Sequence, residues 1–331
     1  MKVLFNCLVP FGLAHGGAQI QIEETQRALQ GIGVEVEPLR WWDGAQRGDI
    51  LHHFGRVPAN LARLAKAKGM KVVMSDLLTE QGSRPRAQIA RQEFARKLLG
   101  AFSMAPAAVR SVLESYQLAD ACLVLTAWEA ELLERIYGAP KEKIHVVPNG
   151  VETVFLHSQP ATRGQWLVCT ATITARKRVL ELAEAAVAAR TPLWIIGKPY
   201  DPDESCAKKF LSLAAAHPDV LRFEGPINDR AQLAKIYREA RGFVLLSAME
   251  SLSLSALEAA ACECPLLLGD LPWARTVFGG RASYCPVTAS TSAAAEVLKK
   301  FYETAPNLPA PPKPLTWPEV AQQIKAIYAR L

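Results

Sequence analysis

The sequence predicts an α/β protein made of two parallel-sheet domains, and three observations carry that prediction. Its 331 residues exceed the ~100–200 that one domain usually takes. Short apolar runs alternate with helical stretches along the whole chain, the order that parallel strands joined by crossover helices require. The alternation is interrupted once, at Pro148-Asn149-Gly150-Val151-Glu152 and the polar stretch 157–163, which contains Pro160. A fresh apolar run then starts at Trp166.

In the first domain, residues 1–150, strands are expected at 2–9, 34–39, 49–54, 71–75, 121–126 and 144–147. Helices are expected between them at 19–31, 57–68, 86–99, 107–117 and 128–137, with Gly31 and Gly33 as a C-cap pair. The second domain, 151–314, repeats the scheme. Its strands fall at 166–170, 193–196, 221–224, 242–246, 265–268 and 283–285, and its helices at 179–189, 205–216, 230–240, 251–263 and 292–304. Pro306, Pro309, Pro311, Pro312 and Pro314 make a stiff connector. A last helix occupies 317–331, within a closing segment of 315–331.

Composition narrows the function classes. Half the residues are apolar and 21% are charged, ordinary for a protein with real cores. No stretch approaches the ~20 apolar residues of a membrane-spanning helix. Residues 1–7 lack the hydrophobic region and cleavage site of a signal peptide, so a cytoplasmic protein is expected. Seven scattered cysteines fit reduced thiols, and Cys262 and Cys264 have no partner pair that would hold zinc. The net charge is +6. Arg84, Arg86, Arg91, Arg96, Lys97 and Arg110 share a stretch in which Glu93 is the only acid. That stretch is either a solvated helix face or a surface for anionic lipid head groups or a phosphate-bearing acceptor. No nucleic-acid-binding motif accompanies the charge, so nucleic acid is not an expected partner.

The most informative segment is Ser247-Ala248-Met249-Glu250-Ser251-Leu252-Ser253-Leu254-Ser255-Ala256-Leu257-Glu258-Ala259-Ala260-Ala261. An apolar strand at 242–246 followed by a helix at 251–263 puts Glu250 in the connecting turn and Glu258 two turns into the helix. The carboxylates can then lie about 12 Å apart along the axis, roughly the span from a ribose over a diphosphate to a sugar ring. Backbone N–H groups near Ser251, Leu252 and Ser253 suit an anion.

This spacing resembles the paired-glutamate motif of retaining glycosyltransferases of family 4, which have the GT-B fold. The resemblance implies two Rossmann-like domains facing across a cleft, with the last helix crossing back to the first domain. It implies that Glu258 holds the ribose of a nucleotide sugar and that Glu250, with the amides after it, meets the donor sugar. Thr170 to Arg178 follows the first strand of the second domain, where the family places a Gly-Arg pair and a Lys on the donor diphosphate. Lys177 fits the Lys. Ala171 and Thr172 stand where the Gly-Arg pair is expected, with Arg176 as the replacement charge. Gly16 and Gly17, in Phe11-Gly12-Leu13-Ala14-His15-Gly16-Gly17-Ala18, resemble the family's Gly-Gly loop over diphosphate and acceptor. Gly197 ends a strand near the base, and Asp270, Leu271 and Pro272 border the donor. In the first domain His52 and His53 end a strand on opposite faces, so one of them faces the cleft. Asp76 stands where the family often has another His.

A nucleotide diphosphate sugar is thus the expected co-substrate, with a glycan, lipid-linked or small-molecule acceptor and peripheral contact with an anionic membrane. No further cofactor is implied. No metal is implied either, since no Asp-x-Asp diphosphate–metal motif occurs and fixed cations replace it. A catalytically silent GT-B protein and a GT-B nucleotide-sugar epimerase are the alternatives. A nicotinamide enzyme is disfavoured by the absent Gly-x-Gly-x-x-Gly.

Overall fold

The computed structural model describes residues 1–8, 16–101, 107–157 and 161–331. It divides into two compact units, one of Met1–Gly150 with Trp317–Leu331 and one of Val151–Thr316.

The first unit is a parallel sheet of β1 (Lys2–Cys7), β2 (Glu35–Pro38), β3 (Ile50–Phe54), β4 (Lys71–Ser75), β5 (Ala121–Val124) and β6 (Ile144–Val146), in the order β2-β1-β3-β4-β5-β6. The second holds β7 (Leu167–Thr170), β8 (Leu193–Ile196), β9 (Leu221–Phe223), β10 (Gly242–Leu245), β11 (Leu266–Gly269) and β12 (Ser283–Cys285), in the order β12-β11-β10-β7-β8-β9. Every pairing is parallel. The central strands β5, β10 and β11 are buried at every residue, because helices cover both faces of such a sheet. Each sheet has one switch point, where successive crossovers turn to opposite sides: β1/β3 in the first unit and β7/β10 in the second. Ligand sites of open parallel sheets form at the carboxyl ends of such strands.

Most expected elements form, with ends moved by a few residues. The informative departure is the helix expected at 251–263, which runs only over Leu254–Ala261. The Ser253 hydroxyl accepts from the Ala256 N–H, so Ser253 caps the helix and Ser251 and Leu252 precede it. At the other end Glu263 is left-handed, with φ 55°. Glu258 therefore lies about one turn into the helix, where two turns were expected. Short helices at Thr79–Gly82, Thr153–Leu156 and Pro272–Phe278 had no expected counterpart, since one or two turns give too little periodicity to read. Gly33, with φ 79°, follows the first helix, Gly17–Gly31, and donates to the Gln30 carbonyl. Gly31 is the helix's last residue.

Val151 and Thr316, the two ends of the second unit, form a β-bridge, and the Val151 N–H donates to the Leu315 carbonyl at 2.9 Å. Beyond it the helix Trp317–Tyr328 buries Trp317, Val320, Ala321, Ile324, Ile327 and Tyr328 in the first unit. That spacing is one face of an amphipathic helix. It packs on Gly17–Gly31, and Lys325 Nζ donates to the Ile32 carbonyl at 2.8 Å. The Tyr328 hydroxyl bonds His52 Nδ1 at 2.5 Å, inside the core. Tyr328→Phe should cost roughly 1–3 kcal/mol, because it strands a buried imidazole nitrogen. Urea denaturation of the variant against wild type measures that loss.

Candidate active site

The second unit brings the cationic segment and the first glutamate together at its switch point. After β7, the Thr174 hydroxyl accepts from the Lys177 N–H at 3.3 Å, capping a 3₁₀ turn at Ala175–Lys177. Arg178 then takes φ 53°, and the α-helix Val179–Ala189 begins. The cations thus sit in the turn between β7 and that helix. After β10 the chain passes alongside this turn: the Ala248 N–H donates to the Arg176 carbonyl at 2.9 Å, and Arg176 Nη1 donates to the Met249 carbonyl at 2.8 Å. Glu250 is buried, ion-paired to Lys177 Nζ, and its other oxygen is 3.6 Å from Arg176 Nη1. One carboxylate between two cations leaves a local excess of positive charge. Ser251, Leu252 and Ser253 are buried directly after it.

Two glycines let the backbones pass closely here. Gly197, φ 153°, has no room for a side chain, since a Cβ would fall 2.0 Å from the Ala171 carbonyl oxygen. Gly269, at the end of β11, would put a Cβ 2.8 Å from the Ser247 carbonyl oxygen. Gly269 went unnoticed in the sequence because it reads as the end of an apolar run. Thr172 is half-buried in the same segment as Ala171. Asp270 is engaged elsewhere, with its carboxylate gripped by Arg275 at 2.7 and 2.9 Å and held below its ordinary range by that contact.

Glu258 is buried and paired to Arg230, whose Nε also donates to Glu152 Oε1 at 2.6 Å. The guanidinium lies over the Phe155 ring, 4.7 Å from its centroid. Burial pushes the Glu258 carboxyl up, and Arg230 opposes the shift; Tyr237, buried beside it, also favours the charged form. Arg230, Glu152 and Tyr237 were not singled out from the sequence. Their one legible signal is that Arg230 and Tyr237 stand seven residues apart on one face of a helix.

In the first unit the picture differs. His52 is wholly buried, with Nδ1 on Tyr328 and Nε2 2.7 Å from Ser75 Oγ. Its ring stacks on Phe54 at 4.4 Å. As a candidate for contacting substrate, His52 is therefore corrected to a core residue, because both nitrogens are used within the unit. Burial pushes its pKa down to about 3, with His53 adding to the shift. His53 is also buried and bonds Asn6 Nδ2 through Nδ1 at 3.0 Å; burial lowers its pKa to about 4, against the pull of Asp76. Asp76 is buried too, accepting from the Tyr116 hydroxyl at 2.5 Å and lying 3.3 Å from Arg56 Nε. Arg56 in turn lies against the Tyr116 and Tyr137 rings. Gly16, φ 139°, and Gly17 open the first helix, while residues 11–15 of their loop lie outside the described residues. In the basic stretch Arg84 pairs with Glu80, Lys97 and Arg135 with Glu93, and Arg96 donates to the Arg135 carbonyl. Among the described residues no group of three His, Cys, Asp or Glu side chains is arranged to hold a metal ion.

The profile described as "Glycosyl transferases group 1" matches residues 164–303, and that of "Glycosyltransferase Family 4" matches residues 36–155. The chain belongs to glycosyltransferase family 4. It is a glycosyltransferase with the GT-B fold. A relative from Arthrobacter sp. (strain FB24), named D-inositol 3-phosphate glycosyltransferase, is 27% identical over 85% of this chain and 68% of its own length. Anabaena HepE, solved with UDP, covers all of both chains at a TM-score of 0.69 and 12% identity. Sucrose-phosphate synthase from Thermosynechococcus elongatus covers 99% of this chain and 98% of its own, at a TM-score of 0.65 and 16% identity. At such identities these two structures speak for the fold alone.

Two outcomes follow from the site geometry. Gly197→Ala should destabilise the second unit by about 2–4 kcal/mol, since backbone has to move to admit the methyl group; thermal unfolding measures it. For His52 and His53 the unfolded chain binds protons near pH 6.5 that the fold refuses until about 3 and 4. Their contribution is therefore whole above pH 6.5 and is lost as pH falls, roughly 2 kcal/mol per imidazole by pH 5. Denaturation at pH 7.5 and 5 should show that loss, and His52→Asn should shrink it.

Proposed function

We propose that this glycosyltransferase moves a sugar from a nucleotide diphosphate sugar to an acceptor hydroxyl, with retention of anomeric configuration and without a metal ion. The observation that carries the reading is the convergence of Arg176, Lys177 and Glu250 at the β7/β10 switch point, with Glu258 about one turn into the helix that follows. A diphosphate drawn to Arg176 and Lys177 competes with Glu250 for them. Glu250 and the segment Ser251, Leu252 and Ser253 then meet the sugar, Glu258 accepts from the ribose hydroxyls, and Gly197 and Thr172 border the donor. As the glycosidic bond breaks, charge grows on the departing diphosphate, and Lys177 and Arg176 stabilise it. The acceptor attacks from the face the diphosphate leaves, and a donor phosphate oxygen takes its proton. This direct displacement forms no covalent adduct on Glu250.

The names of similar proteins support the donor class: HepE was solved with UDP and with UDP-glucose. The acceptor is a glycan, a lipid-linked group or a small molecule held by the first unit. Gly16 and Gly17 are assigned to the diphosphate and acceptor, with His53 and Asp76 contributing there. The helix Arg86–Ala101 exposes Phe94 and Leu98 beside Arg91 and Lys97, which supports peripheral contact with an anionic membrane from the cytoplasmic side. No helix among the described residues is long and apolar enough to cross one.

Calorimetry of wild type and Glu258→Ala against UDP-, GDP- and ADP-sugars tests the donor site. One nucleotide series should bind, and the variant should lose roughly 10- to 100-fold in affinity, the worth of a charged hydrogen bond. Binding of none of them sinks the donor reading. Turnover in EDTA should be unchanged, and NMR of the product should show the donor's anomeric configuration. Binding without transfer or donor hydrolysis would favour the silent reading, and donor alteration without an acceptor would favour the epimerase.

A further inference from the structure

Arg230 stands at the first position of its helix, where the backbone disfavours a cation. Asp229 already caps that helix through the Ala231 and Gln232 N–H groups, so Arg230 is not needed as a cap. Its planar fork instead joins two carboxylates: Nε takes Glu152 and Nη2 takes Glu258, with Phe155 beneath the guanidinium. Glu152 immediately follows Val151, which is fixed by its bridge to Thr316. The guanidinium is thus anchored on one side by the Glu152 carboxylate, next to the bridged Val151, and on the other by the buried Glu258.

We propose that Arg230, anchored by Glu152, is the positioning residue for ribose recognition, holding the Glu258 carboxylate ionised and oriented toward the ribose hydroxyls. This rests on the donor reading above. A carboxylate has about four acceptor positions. Arg230 takes one and Tyr237 lies beside the group, which leaves acceptor capacity for the 2′- and 3′-hydroxyls. Without a cation, a carboxylate this buried takes up a proton, and one of its acceptor positions becomes a donor. The titratable or charged groups facing Glu258 are Arg230, Glu152, Tyr237 and Cys262. Among them Arg230 is the cation. Lys in its place keeps the charge but loses the fork that reaches both carboxylates.

The test is calorimetry from pH 6 to 9 with UDP, GDP and ADP, and with the 2′-deoxy analogue of whichever binds, on wild type, Arg230→Gln and Arg230→Lys. Wild type should bind the ribonucleotide at least ~10-fold better than the deoxy form, with little pH dependence attributable to Glu258. Arg230→Gln should lose at least ~10-fold in affinity at pH 7 and most of the ribose preference, and recover both as the pH rises and Glu258 ionises. Arg230→Lys should keep the wild-type pH profile with a smaller ribose preference. If Arg230→Gln fails to fold, the Lys variant still decides: an unchanged ribose preference overturns the proposal. A loss in Arg230→Gln that is equal for both sugars and at all pH values marks a structural role only, and also overturns it. Wild type that binds none of the nucleotides overturns the donor reading itself, whereas normal binding by all three proteins overturns this inference alone.

Discussion

The second unit depends on one buried carboxylate. Glu250 lies between Lys177 and Arg176, and in doing so joins the segment after β7 to the segment after β10 at the switch point of the sheet. Breaking such a pair from one side leaves an uncompensated buried charge, which is costly. The backbone follows the same seam, through the Ala248–Arg176 hydrogen bond and the Arg176–Met249 contact. Gly197 and Gly269 pack the neighbouring strand ends against these segments, since a Cβ at the first would strike the Ala171 carbonyl oxygen and at the second the Ser247 carbonyl oxygen. The ion pair and the switch point are thus two aspects of one constraint: loops from the non-consecutive strands β7 and β10 meet at close range around an anion.

Glu258 repeats the arrangement one turn into the next helix, with Arg230 as the cation and Glu152 as a second anchor. Each of the two buried acids thus has its own cationic partner. The first unit solves a different problem. Its charged and polar groups near the strand ends, His52 with Tyr328 and Ser75, Asp76 with Tyr116 and Arg56, are satisfied from within, and the last helix supplies one of the partners.

Much of this architecture was legible from local pattern. Apolar runs such as Leu266 to Leu268 mark strands buried on both faces, and the helices Val179–Ala189 and Ser205–Ala216 fall where the periodicity puts them. Glu250 lies between β10 and the helix Leu254–Ala261, in the turn where the strand and helix patterns put it. One departure has a local reason: the serines around Glu250 look like a helix start, yet the Ser253 hydroxyl captures the Ala256 N–H and delays the helix to Leu254. His52 and His53 look alike as strand-end imidazoles, and only the returning helix, through Tyr328, makes the first a core residue.

The sequence by itself determined the alternation of strands and helices, the break after Gly150 and the charged residues placed at the strand-to-helix turns, because periodicity and charge are local properties of the chain. Tertiary structure alone decided which charges became partners. Lys177 and Glu250 are separated by 73 residues, Arg230 and Glu152 by 78, and His52 and Tyr328 by 276. Contacts at such separations arise from strand order and helix docking, which no short window of residues encodes.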